Sequence, residues 1–258
     1  MKTVILAGGY GTRIRDVADD IPKPMIPIGP YPILYHILKI YSSFNQKDFI
    51  ICLGYKGEVI KNFFINLNSL TKDLTIDFKD TGEIKYHKGQ NEVDWNIKLI
   101  DTGLNAMTGS RIKKIKNLID EENFLLTYGD GVSDININDT IKFHKSHGKI
   151  LTVAGVRPPG RFGEIISNNN NEVIKFNEKP QVEKGRISGG FFVANKKIFD
   201  YLDDNDDLVF EEGPIQELVS QNEMMIYKHD GFWLPMDTSR EYQILNKMFN
   251  AGNTPWAP

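Results

Sequence analysis

The chain has 258 residues, with 31 lysines and arginines against 34 aspartates and glutamates, so its formal net charge is −3. This charge excludes the strongly basic surface of a general nucleic-acid binder, and the lone Cys52 excludes an intramolecular disulfide or a cysteine-rich zinc site. No apolar run reaches the length of a membrane span, and the apolar run near residue 1 is too short for a signal peptide. We therefore expect a cytoplasmic protein without nucleic-acid or membrane partners.

The first half of the chain alternates short apolar strands with amphipathic helices. An apolar run that ends at glycines predicts a strand over 3–7, and apolar residues at helical spacing predict a helix over 33–44. The pattern continues with strands over 49–53, 74–78, 96–101 and 124–128 and helices over 59–67 and 111–119. This alternation is typical of a mainly parallel sheet with helices on both faces.

The second half mixes strands and helices less regularly. It predicts strands over 150–156, 164–167, 173–177 and 189–194 and helices over 137–147, 196–202, 213–222 and 239–250. At roughly 150 residues per domain, this length fits one large domain. We predict a single α/β domain with inserted β segments.

The most informative motif is a glycine-rich turn directly after the first strand. Gly8, Gly9 and Gly11 allow backbone N–H groups to approach phosphate oxygens, and Arg13 and Lys23 add positive charge. The turn lacks the third glycine of the dinucleotide fingerprint, and the chain has no P-loop. The alternative is a tight turn that needs glycine only for positive φ. The two cations favour phosphate binding.

Two separate aspartates are candidates for a metal site. Asp130 lies between Gly129 and Gly131 after a buried strand, which places it at the ligand-binding edge of a parallel sheet. Mg²⁺ prefers one or two carboxylates plus substrate phosphates, whereas the alternative for this segment is an Asp-Gly turn. Asp237 either completes the metal site or caps a helix that begins near Ser239.

Two further residues have two interpretations each. Glu178 and Lys179 precede Pro180, so Lys179 either grips an anionic second substrate or is an ordinary charged strand end. Arg111 opens a helix and either touches a nucleotide or belongs to a capped structural helix. No serine lies in a nucleophile elbow, and Cys52 lies in an apolar strand, so nothing points to a covalent nucleophile.

Taken together, the motifs resemble those of the sugar-1-phosphate nucleotidylyltransferases. Residues 6–13 (Leu-Ala-Gly-Gly-Tyr-Gly-Thr-Arg) with Lys23-Pro24-Met25 are similar to that family's signature. The resemblance narrows to the glucose-1-phosphate cytidylyltransferases through the motifs at 107–111, 127–132, 158–163, 178–180, 189–193 and 231–238.

The resemblance implies that the chain transfers CMP from CTP to α-D-glucose 1-phosphate, giving CDP-glucose and pyrophosphate, early in CDP-dideoxysugar and O-antigen biosynthesis. It implies a Rossmann-like three-layer α/β/α fold with a mixed, mainly parallel sheet and inserted β segments over the sugar site. In the single domain 1–258, residues 1–135 would mainly bind the nucleotide and residues 136–258 the sugar phosphate, within a homo-oligomer. The alternative is a related nucleotidylyltransferase that uses UTP, dTTP or another sugar phosphate.

The resemblance also assigns roles to individual residues. Arg13, Lys23 and Lys179 are expected to be catalytic, and Asp130 and Asp237 to hold Mg²⁺. The expected nucleotide contacts are Leu6, Ala7, Gly8, Gly9, Tyr10, Gly11, Thr12, Arg13, Lys23, Arg111 and Gly129. The expected sugar-phosphate contacts are Glu178, Lys179 and Gly190. Ala106 departs from the family pattern, because relatives often have a serine or threonine nucleotide contact there and alanine has no side-chain donor.

Overall fold

The structure is a computed structural model that describes residues 1–14, 17, 20–79, 82–87, 93–158, 164–168, 170–177 and 185–257. Two predicted sugar-phosphate contacts, Glu178 and Lys179, lie outside the described residues, and so does the side chain of Arg13. The same holds for residues 159–163 of the 158–163 motif.

The described strands and helices contain the predicted alternation, with additional short strands between its members. The strands are β1 (Thr3–Leu6), β2 (Pro27–Ile28), β3 (Tyr31–Pro32), β4 (Asp48–Leu53), β5 (Leu74–Asp77), β6 (Glu83–Tyr86), β7 (Asn96–Asp101), β8 (Asn123–Tyr128), β9 (Gly131–Ser133), β10 (Leu151–Val156), β11 (Glu164–Ser167), β12 (Val173–Asn177), β13 (Ile187–Asn195), β14 (Met224–His229) and β15 (Trp233–Pro235). The helices are α1 (Ile33–Ser43), α2 (Gly57–Ile65), α3 (Leu67–Thr71), α4 (Thr108–Lys114), α5 (Ile137–His147), α6 (Pro214–Ser220) and α7 (Ser239–Asn250).

Seven of the described strands form the central sheet in the order β14-β10-β13-β8-β1-β4-β7. Strand β1 pairs in parallel with both β4 and β8, and β4 pairs in parallel with β7. Strand β13 is antiparallel to its neighbours β8 and β10, while β14 is parallel to β10. The predicted mixed, mainly parallel sheet is confirmed. Its strands come from both halves of the chain.

Alternating side chains of the buried strands point to opposite faces of the sheet and form two cores. Ile5 and Ile51 pack on one face with residues of α1, α2, α5 and α7. Val4 and Cys52 pack on the other face with residues of α4 and α6. Because helices cover both faces, the sheet is the middle layer of a three-layer α/β/α fold, as predicted.

Some strands and helices differ from the sequence prediction, because contacts with residues distant in sequence set where they begin and end. Helix α4 starts at Thr108 rather than near 111, because the carbonyl of Leu208 accepts a hydrogen bond from the N–H of Gly109 at 2.9 Å. Strands β9 and β15 were not predicted, since each has three residues and is defined by the register Trp233↔Ser133. Strand β14 was not predicted either, and it completes the sheet beside β10.

The described helices include none that is both long and apolar enough to cross a membrane.

Candidate active site

Two cavities lie at the carboxyl ends of the parallel strands, where ligands of open α/β sheets bind. The first has a volume of about 390 Å³, and every predicted nucleotide contact whose side chain is described lines it. The second has a volume of about 370 Å³ and is lined by Gly190, a predicted sugar-phosphate contact. Tyr128, Asp130 and Asp237 line both cavities, so the two spaces meet at these side chains.

The glycine-rich turn presents unpaired backbone donors to the first cavity. No described residue accepts a hydrogen bond from the N–H groups of Gly8, Gly9, Tyr10 or Gly11. Gly11 has φ +61°, and a Cβ there would lie 2.9 Å from Cβ of Lys23. Because successive free amides form a concave anion site, this geometry favours phosphate binding over the interpretation as a merely tight turn.

Lys23 and the two candidate metal ligands form one cluster. The Lys23 ammonium donates to Oδ2 of Asp130 at 2.6 Å and to Oδ1 of Asp237. Burial alone would lower the pKa of Lys23, but the charges and hydrogen bonds of the two aspartates outweigh it and leave that pKa raised. The lysine thus remains a cation between two carboxylates that are far apart in sequence and have converged in space.

The structure decides between the two interpretations of Asp237. Helix α7 is capped by Thr238 and Glu241, because the backbone N–H of Thr238 donates to Oε2 of Glu241 at 2.8 Å in a capping box. Strand β15 pairs with β9 and sets the position of Asp237, and the N–H of Met236 donates to the carbonyl of Asp130 at 2.8 Å. The carboxylate of Asp237 is therefore directed at the cluster and not at the helix.

Arg111 lies behind the glycine-rich turn and is 4% exposed. Its guanidinium donates to the carbonyls of Leu53 (2.8 Å), Gly103 (2.9 Å) and Gly8 (3.0 Å) and to Oγ1 of Thr102 (2.7 Å). Burial lowers its pKa, and no described carboxylate forms an ion pair with it. Arg111 thus ties three loops together as a structural residue. It also lines the first cavity, and its contact with a nucleotide stays a prediction.

Comparison with known proteins agrees with this geometry. A family model described as nucleotidyl transferase matches residues 2–238. The chain belongs to the nucleotidyl transferase family.

Within that family, the chain is 46% identical to glucose-1-phosphate cytidylyltransferase of Salmonella typhimurium, over 99% of this chain and 98% of that protein. It is 42% identical to a probable glucose-1-phosphate cytidylyltransferase of Bacillus subtilis, over 99% of each. The crystal structure of HddC from Yersinia pseudotuberculosis, complexed with GMP-PN, superposes with a TM-score of 0.69 at 23% identity and covers 96% of this chain and 99% of that one. This similarity supports the fold.

The nucleotidyl transferase site contains wall residues that the sequence analysis assigned no role. Tyr128 lines both cavities, and Thr108 lines the first. Trp233 lines the second and donates from Nε1 to the carbonyl of Gly189 at 2.8 Å. Tyr128 had one usable signal, since it is the last residue of a strand that leads to Gly129 and Asp130. Thr108 and Trp233 reach the site through contacts that are distant in sequence.

The carboxylates of the site can hold a hard divalent cation only if substrate oxygens complete its coordination. No group of three or more histidine, cysteine, aspartate or glutamate side chains converges within the described part of the chain. Asp130 and Asp237 supply carboxylate oxygens at the junction of the two cavities. Mg²⁺ commonly binds with one or two carboxylates and completes its shell with water and substrate phosphates, so two aspartates suffice.

Proposed function

We propose that this chain transfers CMP from CTP to α-D-glucose 1-phosphate, giving CDP-glucose and pyrophosphate. The observation that carries the proposal is the junction at Asp130 and Asp237, where the cavity lined by the glycine-rich turn meets the second cavity. The identity of 46% to a protein named for this reaction supports the choice of substrates.

The chemistry needs no nucleophile from the protein. A phosphate oxygen of the sugar phosphate attacks the α-phosphorus of CTP and forms a new P–O bond. The bond from that phosphorus to the bridging oxygen breaks, and pyrophosphate leaves with the electron pair. Cys52 is fully buried, and burial raises the pKa of its thiol to about 12, which is the state of an inert core cysteine.

The protein supplies position and positive charge. The free amides of residues 8–11 would hold phosphate oxygens of the nucleotide, and the Lys23 ammonium would offset charge that builds up in the transition state. Arg13 and Lys179 would add charge from the nucleotide and sugar sides, in the roles that the family resemblance implies for them.

Nucleotidyltransferases of this family generally use a divalent metal, and we propose Mg²⁺ for this chain. Asp130 and Asp237 would hold it at the junction of the cavities. A bound Mg²⁺ stabilises negative charge on phosphoryl oxygens and helps to orient the reacting groups. The Lys23 ammonium already lies between the two carboxylates, which supports a preference for positive charge at this point.

We also propose a homo-oligomer, supported by an amphipathic hairpin. Strands β5 and β6 pair only with each other among the described strands, with Ile76 opposite Ile84. Phe78 lies in the turn directly after β5 and is 83% exposed. A two-stranded hairpin is marginally stable alone, so a second copy covering this face would stabilise both. Light scattering is expected to show more than one subunit, and Phe78→Ser to weaken the assembly. A monomeric wild type would refute this.

The remaining assignments extend the same proposal. We place the protein in the cytoplasm, which the single reduced and buried cysteine supports, and we place its product early in CDP-dideoxysugar and O-antigen biosynthesis.

The test is a matrix of four nucleoside triphosphates against a set of sugar 1-phosphates with Mg²⁺, scored by pyrophosphate release and by the mass of the product. CTP with glucose 1-phosphate is expected to give the highest kcat/KM, and omission of any one component is expected to abolish release. A preference for UTP, dTTP or another sugar phosphate would replace the proposal by the related nucleotidylyltransferase.

A further inference from the structure

Tyr128 forms, with Asp130 and Asp237, the partition that lines both cavities, and packing confines its ring on two sides. The ring lies edge-on to Phe192, with centroids 5.9 Å apart and an interplanar angle of 80°. Gly190 has φ +76°, and a Cβ there would lie 2.5 Å from Cδ2 of Tyr128. These two contacts confine the ring at its edge and on the Gly190 side, and the hydroxyl end of the ring is held by its hydrogen-bond partner.

Glu211 binds that hydroxyl and a second one. The phenol O–H of Tyr128 donates to Oε1 of Glu211, and the hydroxyl of Thr108 donates to Oε2 at 2.7 Å. The Thr108 oxygen also accepts from the backbone N–H of Phe210 at 2.9 Å. Thr108 lines the first cavity, so one carboxylate joins that cavity's wall to the partition between the cavities.

The segment that carries Glu211 also holds the start of α4. The N–H of Met107 donates to the carbonyl of Asp206 at 2.8 Å, and the N–H of Gly109 to the carbonyl of Leu208 at 2.9 Å. One helical turn later, Arg111 binds the carbonyl of Gly8 in the glycine-rich turn. A continuous set of contacts therefore runs from the partition to the phosphate-binding turn.

We infer that Glu211 is a positioning residue that holds Tyr128 and Thr108 in register, so that binding of the sugar phosphate and of the nucleotide are coupled through the shared wall. This inference deepens the proposed function and rests on it. The two acceptor oxygens of Glu211 serve two donors, and neither alanine nor an apolar side chain can replace them. In Glu211→Gln, the amide oxygen would accept from Thr108 and the amide nitrogen would donate to the Tyr128 oxygen, so this variant preserves both contacts without the charge.

The test compares Glu211→Ala, Glu211→Gln and Glu212→Ala by steady-state kinetics at varied CTP and glucose 1-phosphate. Glu212 is the matched control, because it is an exposed carboxylate of the same segment. Glu211→Ala is expected to raise KM for glucose 1-phosphate about tenfold, because it removes hydrogen bonds to a charged group. It is also expected to make KM for CTP independent of the concentration of the sugar phosphate. Glu211→Gln should recover most of this loss, and Glu212→Ala should match the wild type.

Tyr128→Phe keeps the ring and removes only the donor, so it provides a second test if Glu211→Ala does not fold. It should shift KM for glucose 1-phosphate in the same direction, and adding Glu211→Ala should change little further. The inference is overturned if Tyr128→Phe and Glu211→Ala lower the melting temperature without moving either KM, or if Glu211→Gln is as impaired as Glu211→Ala. Failure of the wild type to make CDP-glucose would instead refute the proposed function.

Discussion

Replacing Arg111 by methionine tests whether its guanidinium is a structural hub. The change keeps an unbranched apolar stem of similar length and deletes all the nitrogen donors. In the wild type these donate four short hydrogen bonds, of 2.7 to 3.0 Å, to three loops that meet behind the glycine-rich turn. Within the described residues, the carbonyl of Gly103 accepts from no other donor and would lose this hydrogen bond.

The expected loss follows from these contacts. Each such bond contributes about 1 kcal/mol net, and removing a buried charge that has no carboxylate partner returns part of the total. We expect the free energy of unfolding to fall by about 3 kcal/mol, which in a domain of this size lowers the melting temperature by about 6–10 °C. The loops would also lose their mutual register, so KM for CTP should rise.

The assay is urea unfolding of wild type, Arg111→Met and the matched control Arg240→Met. Arg240 is an exposed arginine in the first turn of α7, and its replacement should change stability by no more than about 0.5 kcal/mol. If Arg111→Met were as stable as Arg240→Met, the guanidinium would not be tying the loops together, and the reasoning would be refuted.

Three other outcomes are expected. Burial lowers the pKa of His144 to about 4, so the unfolded chain binds this proton more readily than the folded chain. The stability that the neutral imidazole contributes is present above about pH 6.5 and is lost as the pH falls towards 4. His144→Gln should lose less over this range in urea titrations at both pH values, and an equal loss would contradict this. Gly190→Ala should lower the free energy of unfolding by about 2 kcal/mol more than Gly148→Ala, because Gly148 has a similar φ but open space around it. Equal losses in urea unfolding would show that the Tyr128 ring moves aside without cost. Asp130→Asn should lower kcat at least about 100-fold at an unchanged unfolding midpoint, and full activity would remove the metal assignment.

The local sequence was sufficient for most of the fold. Strand β1 and the turn after it are encoded by a run of apolar residues that ends at Gly8, and α1 by apolar residues at helical spacing. Such signals are local, because the pattern of apolar residues in an element depends on how many of its faces are buried and not on which element covers them. The three layers, and the edge of the sheet where ligand binds, follow from the alternation of strands and helices along the chain and from the right-handed connections between parallel strands.

The features that local sequence does not predict are contacts between residues that are distant along the chain. The local sequence allows Asp237 to be either a helix cap or a member of the Lys23 cluster, and the choice depends on the capping box at Thr238 and on the contact with Lys23. Arg111 was predicted at the site, but its neighbours, which are carbonyls of three separate loops, have no sequence signal. The Tyr128 contact with Glu211 spans 83 residues and is likewise invisible locally.

The central claim is that the two cavities hold a nucleotide and a sugar phosphate whose phosphates react at Asp130 and Asp237. The most direct measurement follows a mixture of CTP, glucose 1-phosphate, Mg²⁺ and the protein by ³¹P NMR. We predict that CTP and glucose 1-phosphate signals disappear together, while CDP-glucose and pyrophosphate appear in equal amounts. Release of CMP or CDP without CDP-glucose, or no change in the spectrum, would contradict the account.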